Sequence, residues 1–171
     1  MARVPIDWII TDTHFNHKYV VEEGGRPLDH SEQLIQNCKR LIAAQDTTYH
    51  LGDVIFNRMS MLKEMLDVIP GRKILVRGNH DHKTNGWYER NGFHFVADYI
   101  TLGNVILSHK PLERFPDGAE YNIHGHQHND AHRLAESSHY YDTRRHFKLA
   151  LEDVGYKPVQ MQQFLADNTN N

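Results

Sequence analysis

The chain is poor in several things that would otherwise decide its chemistry. It has one cysteine, Cys38, in 171 residues. A lone cysteine excludes an intrachain disulfide and removes cysteine-rich zinc sites from consideration. Its place on an apolar helix face predicts a buried thiol. No apolar run approaches the length of a membrane span, and residues 1–10 lack the long apolar stretch of a signal peptide. A cytoplasmic protein with no membrane partner is the expectation. There is no excess of base either: 19 Lys and Arg stand against 22 Asp and Glu, a formal net charge of -3. A general binder of long nucleic acid carries a basic footprint that this balance lacks. Low-complexity tracts, repeats and linkers are missing too. The length therefore fits a single domain over residues 1–171, large enough to bury a core. Nothing in the sequence fixes an oligomeric state, since the apolar helix faces leave no heptad seam.

What is present in surplus is histidine, 14 residues in all. Many stand beside acids or glycines where an apolar segment stops. Residues 4–11 read as a buried strand that ends at Asp12-Thr13-His14. Asp29 or Ser31 caps a helix to about Ala44, with Leu34, Ile35, Cys38, Leu41 and Ile42 on one face at the 3.6-residue period. Residues 47–51 form a strand that stops at Gly52-Asp53. A second helix follows, with Met61, Leu62, Met65, Leu66 and Ile69 inward, and Pro70-Gly71 ends it. Residues 73–77 make a strand that stops at Gly78-Asn79-His80-Asp81. A short helix at 87–90 and strands at 93–96 and 99–102 come next. Gly103-Asn104 turns into 105–107, which stops at Ser108-His109. Residues 121–124 lead into His124-Gly125-His126-Gln127-His128. Phe147, Leu149 and Leu151 alternate as in a half-solvated strand, and Pro158 precedes a last helix through about Ala166. Residues 168–171 are expected to fray. The β-α-β-α-β order followed by a strand-rich half predicts an α/β layered fold.

In such folds, sites form where loops leave the carboxyl ends of strands. Each motif alone is weak, since Asp53 or Asn79 would serve equally as a turn residue and His109 as a satisfied core histidine. Together they are not. Asp12 and His14 are two apart, so an extended chain turns both the same way; His126 and His128 repeat the arrangement. Imidazole, carboxylate and an amide oxygen, without thiolate, suit divalent Mn, Fe, Zn, Co or Ni, and manganese is favoured here. Five separated segments ending in such groups predict one assembled metal site.

The series Asp12-x-His14, Gly52-Asp53, Gly78-Asn79-His80-Asp81, His109 and Gly125-His126-x-His128 resembles the calcineurin-like metallophosphoesterases, in family order and over most of the chain. The likeness is greatest to small, single-domain bacterial and phage members. It implies a four-layer α/β/β/α sandwich with two divalent metal ions at the strand ends. By that resemblance Asp12, His14 and His128 hold the first ion, Asn79, His109 and His126 hold the second, and Asp53 bridges them. His80 faces the substrate and either protonates the leaving oxygen or stabilises charge on it, and Asp81 orients His80 through a hydrogen bond. A hydroxide held between two cations is a nucleophile near neutral pH, and paired cations offset the charge that slows attack on a phosphate ester. The implied activity is hydrolysis of a small phosphodiester, a cyclic nucleotide or a nucleotide-derived diester. A phosphomonoesterase or protein phosphatase is the nearest alternative. A non-catalytic protein-binding scaffold of the same fold is another, although such scaffolds lack the histidine that His80 supplies here.

The remaining candidates divide. His17, His50 and His82 border the motifs or pack behind them. His30, His94, His132, His139 and His146 read as surface or packing residues. Arg26, Arg77 and Lys110 either meet a substrate phosphate or remain solvated charges. The polar segments 113–120 and 129–138 are expected to be loops that rim the site and set specificity.

Overall fold

The computed structural model describes residues 3–170, the side chain of Ala131 apart. Met1, Ala2 and Asn171 lie outside the described residues, and so does the part of the expected N-terminal and C-terminal readings that falls on them. In chain order the elements are β1 (Asp7–Ile10), α1 (Lys18–Glu22), α2 (His30–Leu41), β2 (Thr47–His50), a 3-10 turn (Met59–Met61), α3 (Leu62–Asp67), β3 (Arg72–Val76), α4 (Asn85–Arg90), β4 (Phe95–Ala97), β5 (Tyr99–Leu102), β6 (Val105–Ser108), β7 (Tyr121–His124), α5 (Ala131–Glu136), β8 (His146–Lys148), β9 (Val159–Gln160) and α6 (Met161–Thr169). No helix among the described residues is long and apolar enough to cross a membrane.

Two sheets form. The first has the order β4-β3-β2-β1-β9, with β1 to β4 parallel and β9 antiparallel at the edge of β1. The second has the order β5-β6-β7-β8, with β6, β7 and β8 parallel and β5 antiparallel. Alternation of side chains along each strand divides the core. Trp8, Ile10 and Leu75 face the helices, where they meet Leu34 and Cys38 of α2, Leu62 and Leu66 of α3, and Tyr88 of α4. Their neighbours Ile9, Tyr49, Ile74 and Val76 face the other way and pack on Val105, Leu107, Ile123 and Phe147 of the second sheet. The layers therefore run helix, sheet, sheet, and an outer cover. That last layer is thin. Asn122, His124 and His146 are buried beneath it, bonded to Leu112 N, the Tyr141 hydroxyl and Leu112 O. Cys38 is fully buried, and burial pushes its thiol up to about 12, so it is chemically quiet.

Several expectations change. Residues 129–138 are not all loop: α5 occupies the middle, with Asp130 at its start accepting a hydrogen bond from His132 N at 2.8 Å. The stretch after Phe147 is not a half-solvated strand. The chain leaves the sheet after Lys148, and Leu149, Ala150 and Leu151 are all buried, Leu149 between the sheets and Leu151 on the helix side. The last helix extends beyond Ala166 to Thr169, where Asn168 Nδ2 and Thr169 Oγ1 donate to the carbonyls of Phe164 and Leu165. The short helix α1 and the edge strand β9 were not anticipated; α1 buries a single side chain, Val20, and so leaves no period to read.

Candidate metal centre

The carboxyl ends of β1, β2, β3, β6 and β7 converge, and the motif residues leave from them. The segments after β1 and β2 run side by side: Asp12 N donates to Gly52 O at 2.9 Å, His14 N to Asp53 O at 3.0 Å and Phe15 N to Val54 O at 2.9 Å. Asp12, His14, Asp53, His126 and His128 all adopt positive φ, between 45° and 65°, a region that non-glycine residues rarely enter. Such strain persists only where surroundings over-determine it, and it concentrates at functional sites. The glycines have steric reasons. A Cβ on Gly78 would collide with the Asp53 carboxylate and backbone nitrogen. One on Gly125 would collide with Thr11 Oγ1 and Asp12 Oδ2, and one on Gly52 would stand 2.7 Å from His109 Nδ1.

Two groups of candidate ligands result, Asp12, His14 and His128, and Asp53, His109 and His126, each with its ligand atoms within 4.8 Å of one another. In the first, His14 Nε2 and His128 Nε2 are 3.2 Å apart, and Asp12 Oδ1 lies 3.3 Å from His128 Nε2. In the second, His109 Nε2 is 3.2 Å from His126 Nδ1 and 2.9 Å from Asn79 Oδ1. Bonds of about 2.0–2.2 Å to one ion would set neighbouring ligand atoms roughly 3–3.6 Å apart. Asp53 Oδ2 stands between the groups, 3.8 Å from His14 Nε2, 3.5 Å from His109 Nε2 and 3.9 Å from His80 Nε2.

The donor set fits divalent metal by two further tests. Asp12 Oδ1 and Asp53 Oδ2 are buried and have no hydrogen-bond partner among the described residues, although buried carboxylate oxygens are ordinarily satisfied. The protonation states of His14 and His126 also fit, since ligands must offer free lone pairs, whereas His128 would have to release a proton on binding an ion. Burial pulls His14 down to about 2, outweighing the attraction of Asp12, and burial beside His109 pulls His126 down to about 3, so both imidazoles are neutral. Burial would raise the Asp12 carboxyl, but His128, His109 and His14 hold it well below the usual carboxylate range.

His80 and Asp81 part company. His80 is the more exposed, its side chain 31% accessible, with its ring edge-on to Phe56 at 5.4 Å and its backbone N–H donating to Asp53 Oδ1 at 2.9 Å. Asp81 does not orient it. The buried Asp81 carboxylate accepts hydrogen bonds from Gly78 N (2.7 Å), Asp53 N (2.8 Å) and Val54 N (3.1 Å), and from the Tyr88 hydroxyl at 3.5 Å. It ties the loop after β3 to the loop after β2. The expectation failed because the turn that exposes His80 points its neighbour inward.

Residues outside the motifs complete the surroundings. Arg26, read as a phosphate contact or a solvated charge, is neither: it is 3% accessible and donates to Asp12 O at 2.7 Å and to Glu152 Oε1 at 2.7 and 2.8 Å. Glu152 Oε1 lies 3.0 Å from His128 Nδ1. No sequence motif marks Glu152. Burial works against ionising it, but His128 and Arg26 bring its carboxyl down to about 2. The same contact with Asp12 and Glu152 carries His128 up to about 9 against burial. His50 packs behind the site, its Nε2 2.9 Å from Thr13 Oγ1, and His17 stacks on Phe56 with ring centres 3.9 Å apart. His124 turns both ring nitrogens away from the ligands, towards Gly125 O and the Tyr141 hydroxyl. Arg77 pairs with Asp98 at 2.7 Å. A cavity of about 290 Å³ opens beside His14 and His128, lined also by Tyr19 of α1 and Arg133 of α5. Segment 113–120 is no rim: Phe115 lies under the Arg145 guanidinium at 4.4 Å and Glu120 N donates to Asn104 O, at the far ends of the strands.

Comparison with known proteins agrees with this geometry. An uncharacterized protein of Methanocaldococcus jannaschii is 31% identical over 162 residues, covering 90% of this chain and 86% of its own. A crystal structure of a protein of unknown function from Aquifex aeolicus matches with a TM-score of 0.74 at 25% identity, covering 95% of this chain and 99% of that one. The Pseudomonas putida nuclease MPE shares the fold at a TM-score of 0.51 and 22% identity, over 71% of this chain and 61% of that one. The model of the calcineurin-like phosphoesterases matches residues 8–169, the span from β1 to the end of α6 that carries both ligand groups. The chain belongs to the calcineurin-like phosphoesterase family, and membership implies metal-dependent hydrolysis of phosphoesters.

Proposed function

We propose that the protein hydrolyses a small phosphodiester, such as a cyclic nucleotide or a nucleotide-derived diester. Asp12, His14 and His128 hold one divalent ion, Asn79, His109 and His126 a second, and Asp53 bridges the two. Manganese is our choice of metal. Bound there, two cations would supply the Lewis acidity that draws phosphoryl oxygens and activates water. The observation that carries the reading is Asp53 Oδ2, a buried and unbonded carboxylate oxygen with His14, His109 and His80 nitrogens at 3.5 to 3.9 Å around it. His80 holds the proton for the leaving oxygen: it is the accessible histidine beside Asp53, and histidine is the commonest general acid.

A diester suits the charges around the site better than a monoester. A monoester dianion asks for cationic side chains, and here Arg26 is committed to Glu152 and Arg77 to Asp98, while Arg133 donates to His126 O. Lys110 is exposed and is the remaining one of these candidates. The net charge of -3 weighs against an extended nucleic acid as substrate, although a nuclease shares the fold.

Chelator-stripped protein reloaded with manganese would be assayed on bis(4-nitrophenyl) phosphate and on 4-nitrophenyl phosphate. The diester is expected to be the better substrate, and His80→Ala to lower kcat by about 10²–10⁴ while two ions remain bound. Preference for the monoester overturns the diester reading, and an unchanged kcat in His80→Ala removes the acid.

A further inference from the structure

We infer that Glu152, clamped by Arg26, is a positioning residue that sets the ring of His128 and thereby the affinity of the first metal position. The inference rests on the ligand assignment proposed above. Glu152 lies in the turn after β8, far in sequence from every motif, yet its Oε1 is 3.0 Å from His128 Nδ1. The opposite ring nitrogen, Nε2, is the one 3.2 Å from His14 Nε2 and 3.3 Å from Asp12 Oδ1. Arg26 NH2 also lies 3.0 Å from His128 Nδ1; in a neutral ring whose Nδ1–H donates to Glu152, the Nε2 lone pair faces the space between His14 and Asp12 where the first ion would sit. A carboxylate in this place fixes tautomer and ring angle together and makes the imidazole a stronger donor.

Arg26 makes the arrangement rigid. Its Nε and NH2 both reach Glu152 Oε1, at 2.8 and 2.7 Å, and its NH1 donates to the carbonyl of Asp12 at 2.7 Å. One guanidinium thus joins the carboxylate behind His128 to the backbone of Asp12, two ligands of the same position. Its side chain is 1% accessible and that of Glu152 is 19% accessible, so the guanidinium is weakly screened. The second position lacks such a device. His109 Nδ1 is 2.7 Å from the Leu51 carbonyl, a neutral acceptor. His126 Nε2 has no hydrogen-bond partner among the described residues and lies 3.7 Å from Glu136, whose side chain is 62% accessible. A bond to a carboxylate is the stronger polariser, so a change at Glu152 acts on one position and spares the other.

The test is a calorimetric titration of chelator-stripped protein with manganese, with electron paramagnetic resonance on the loaded samples. Wild type is expected to take two ions and give a spin-coupled pair. Glu152→Ala is expected to weaken one ion by about 10–100-fold, leave the other within twofold and replace the coupled signal by that of isolated manganese. Glu152→Asp is expected to recover part of the loss. Circular dichroism identifies the folded variants; if Glu152→Ala does not fold, the isosteric Glu152→Gln carries the test. Two ions held within twofold of wild type in the folded variant overturn the inference, and so does equal weakening of both. Wild type that binds no pair of ions would instead overturn the ligand assignment.

Discussion

Replacing Asp81 separates two roles that its place beside His80 confuses. If it orients His80, its loss should reduce turnover and leave the protein otherwise intact. The structure gives it another task. Its carboxylate is 4% accessible and accepts from three backbone N–H groups in two loops, at 2.7, 2.8 and 3.1 Å. Burial raises its carboxyl, opposed chiefly by the bonds from Gly78 and Val54. Hydrogen bonds to a charged acceptor contribute about 1.5–3 kcal/mol each, and neighbouring bonds are not additive. Asp81→Ala should therefore cost roughly 3–6 kcal/mol, a large share of a typical total of about 5–15 kcal/mol. Asp81→Asn should cost less. With its carbonyl at the Oδ2 position the amide keeps the bonds from Gly78 and Asp53 and sets a donor against Val54 N–H, a loss of about 1–3 kcal/mol.

Urea unfolding of the metal-free proteins measures these differences, and manganese titration measures their effect on the site. The loops that Asp81 joins carry Asp53 and Asn79, so metal affinity should fall with stability, more in the alanine variant than in the asparagine one. Unfolding midpoints equal to wild type in both variants, with kcat reduced as in His80→Ala, would refute the tie between loops and restore the orienting role.

Asp46 predicts the acid limb of stability. Its carboxylate is fully buried and accepts from Ile6 N, Trp8 Nε1, Ala43 N and Arg3. Although burial opposes them, the Ala43, Trp8 and Ile6 bonds lower its carboxyl below the ordinary value. A carboxyl lowered on folding stabilises above its unfolded pKa of about 3.9 and loses that contribution as pH falls through the folded value. Asp46→Ala should cost about 2–4 kcal/mol at pH 7 and less near pH 3; an equal cost at both, by urea unfolding, contradicts the assignment. Gly125→Ala places a Cβ against Thr11 Oγ1 and Asp12 Oδ2. It should cost about 1–3 kcal/mol by overpacking and weaken manganese binding, whereas Gly86→Ala, whose Cβ would meet only Arg90 NH1 at 3.4 Å, should leave binding unchanged. Calorimetric titration of both variants decides, and unaltered binding in Gly125→Ala counts against crowding at Asp12.

The parts of the site that could be read from sequence are those whose chemistry is local. A strand that stops at Asp12-x-His14, or at Gly125-His126-x-His128, shows candidate ligands by residue type and place, although the extended chain expected there is not found, since all four residues adopt positive φ. The strands themselves were legible because β1, β2, β3 and β6 are buried on nearly every residue and bounded by turn residues. The rest depends on distance in the fold. Arg26 and Glu152 meet across 126 residues. Helices α1 and α5 are five and six residues long, too short to announce themselves by amphipathic period, yet they supply Tyr19 and Arg133 to the cavity beside the first ligand group. Adjacency also misled, since Asp81 follows His80 and points elsewhere.

Backbone conformation explains why these hidden residues matter. Five of the proposed ligands sit at positive φ without being glycine, a cost of order 1–3 kcal/mol each. Bonds from other segments help to offset that cost. Asp12 is held by Gly52 O on its nitrogen and Arg26 on its carbonyl. Asp53 is held by Asp81 on its nitrogen, and its Oδ1 accepts from His80 N. His126 donates its N–H to Asp12 Oδ2, and its carbonyl accepts from Arg133. The motif residues carry the lone pairs, and other motif residues, together with Arg26 and Arg133 from outside the motifs, hold the strained backbone that aims them. A substitution at Arg26, Asp81 or Arg133 should therefore act on the site through conformation, although none of the three is a proposed ligand.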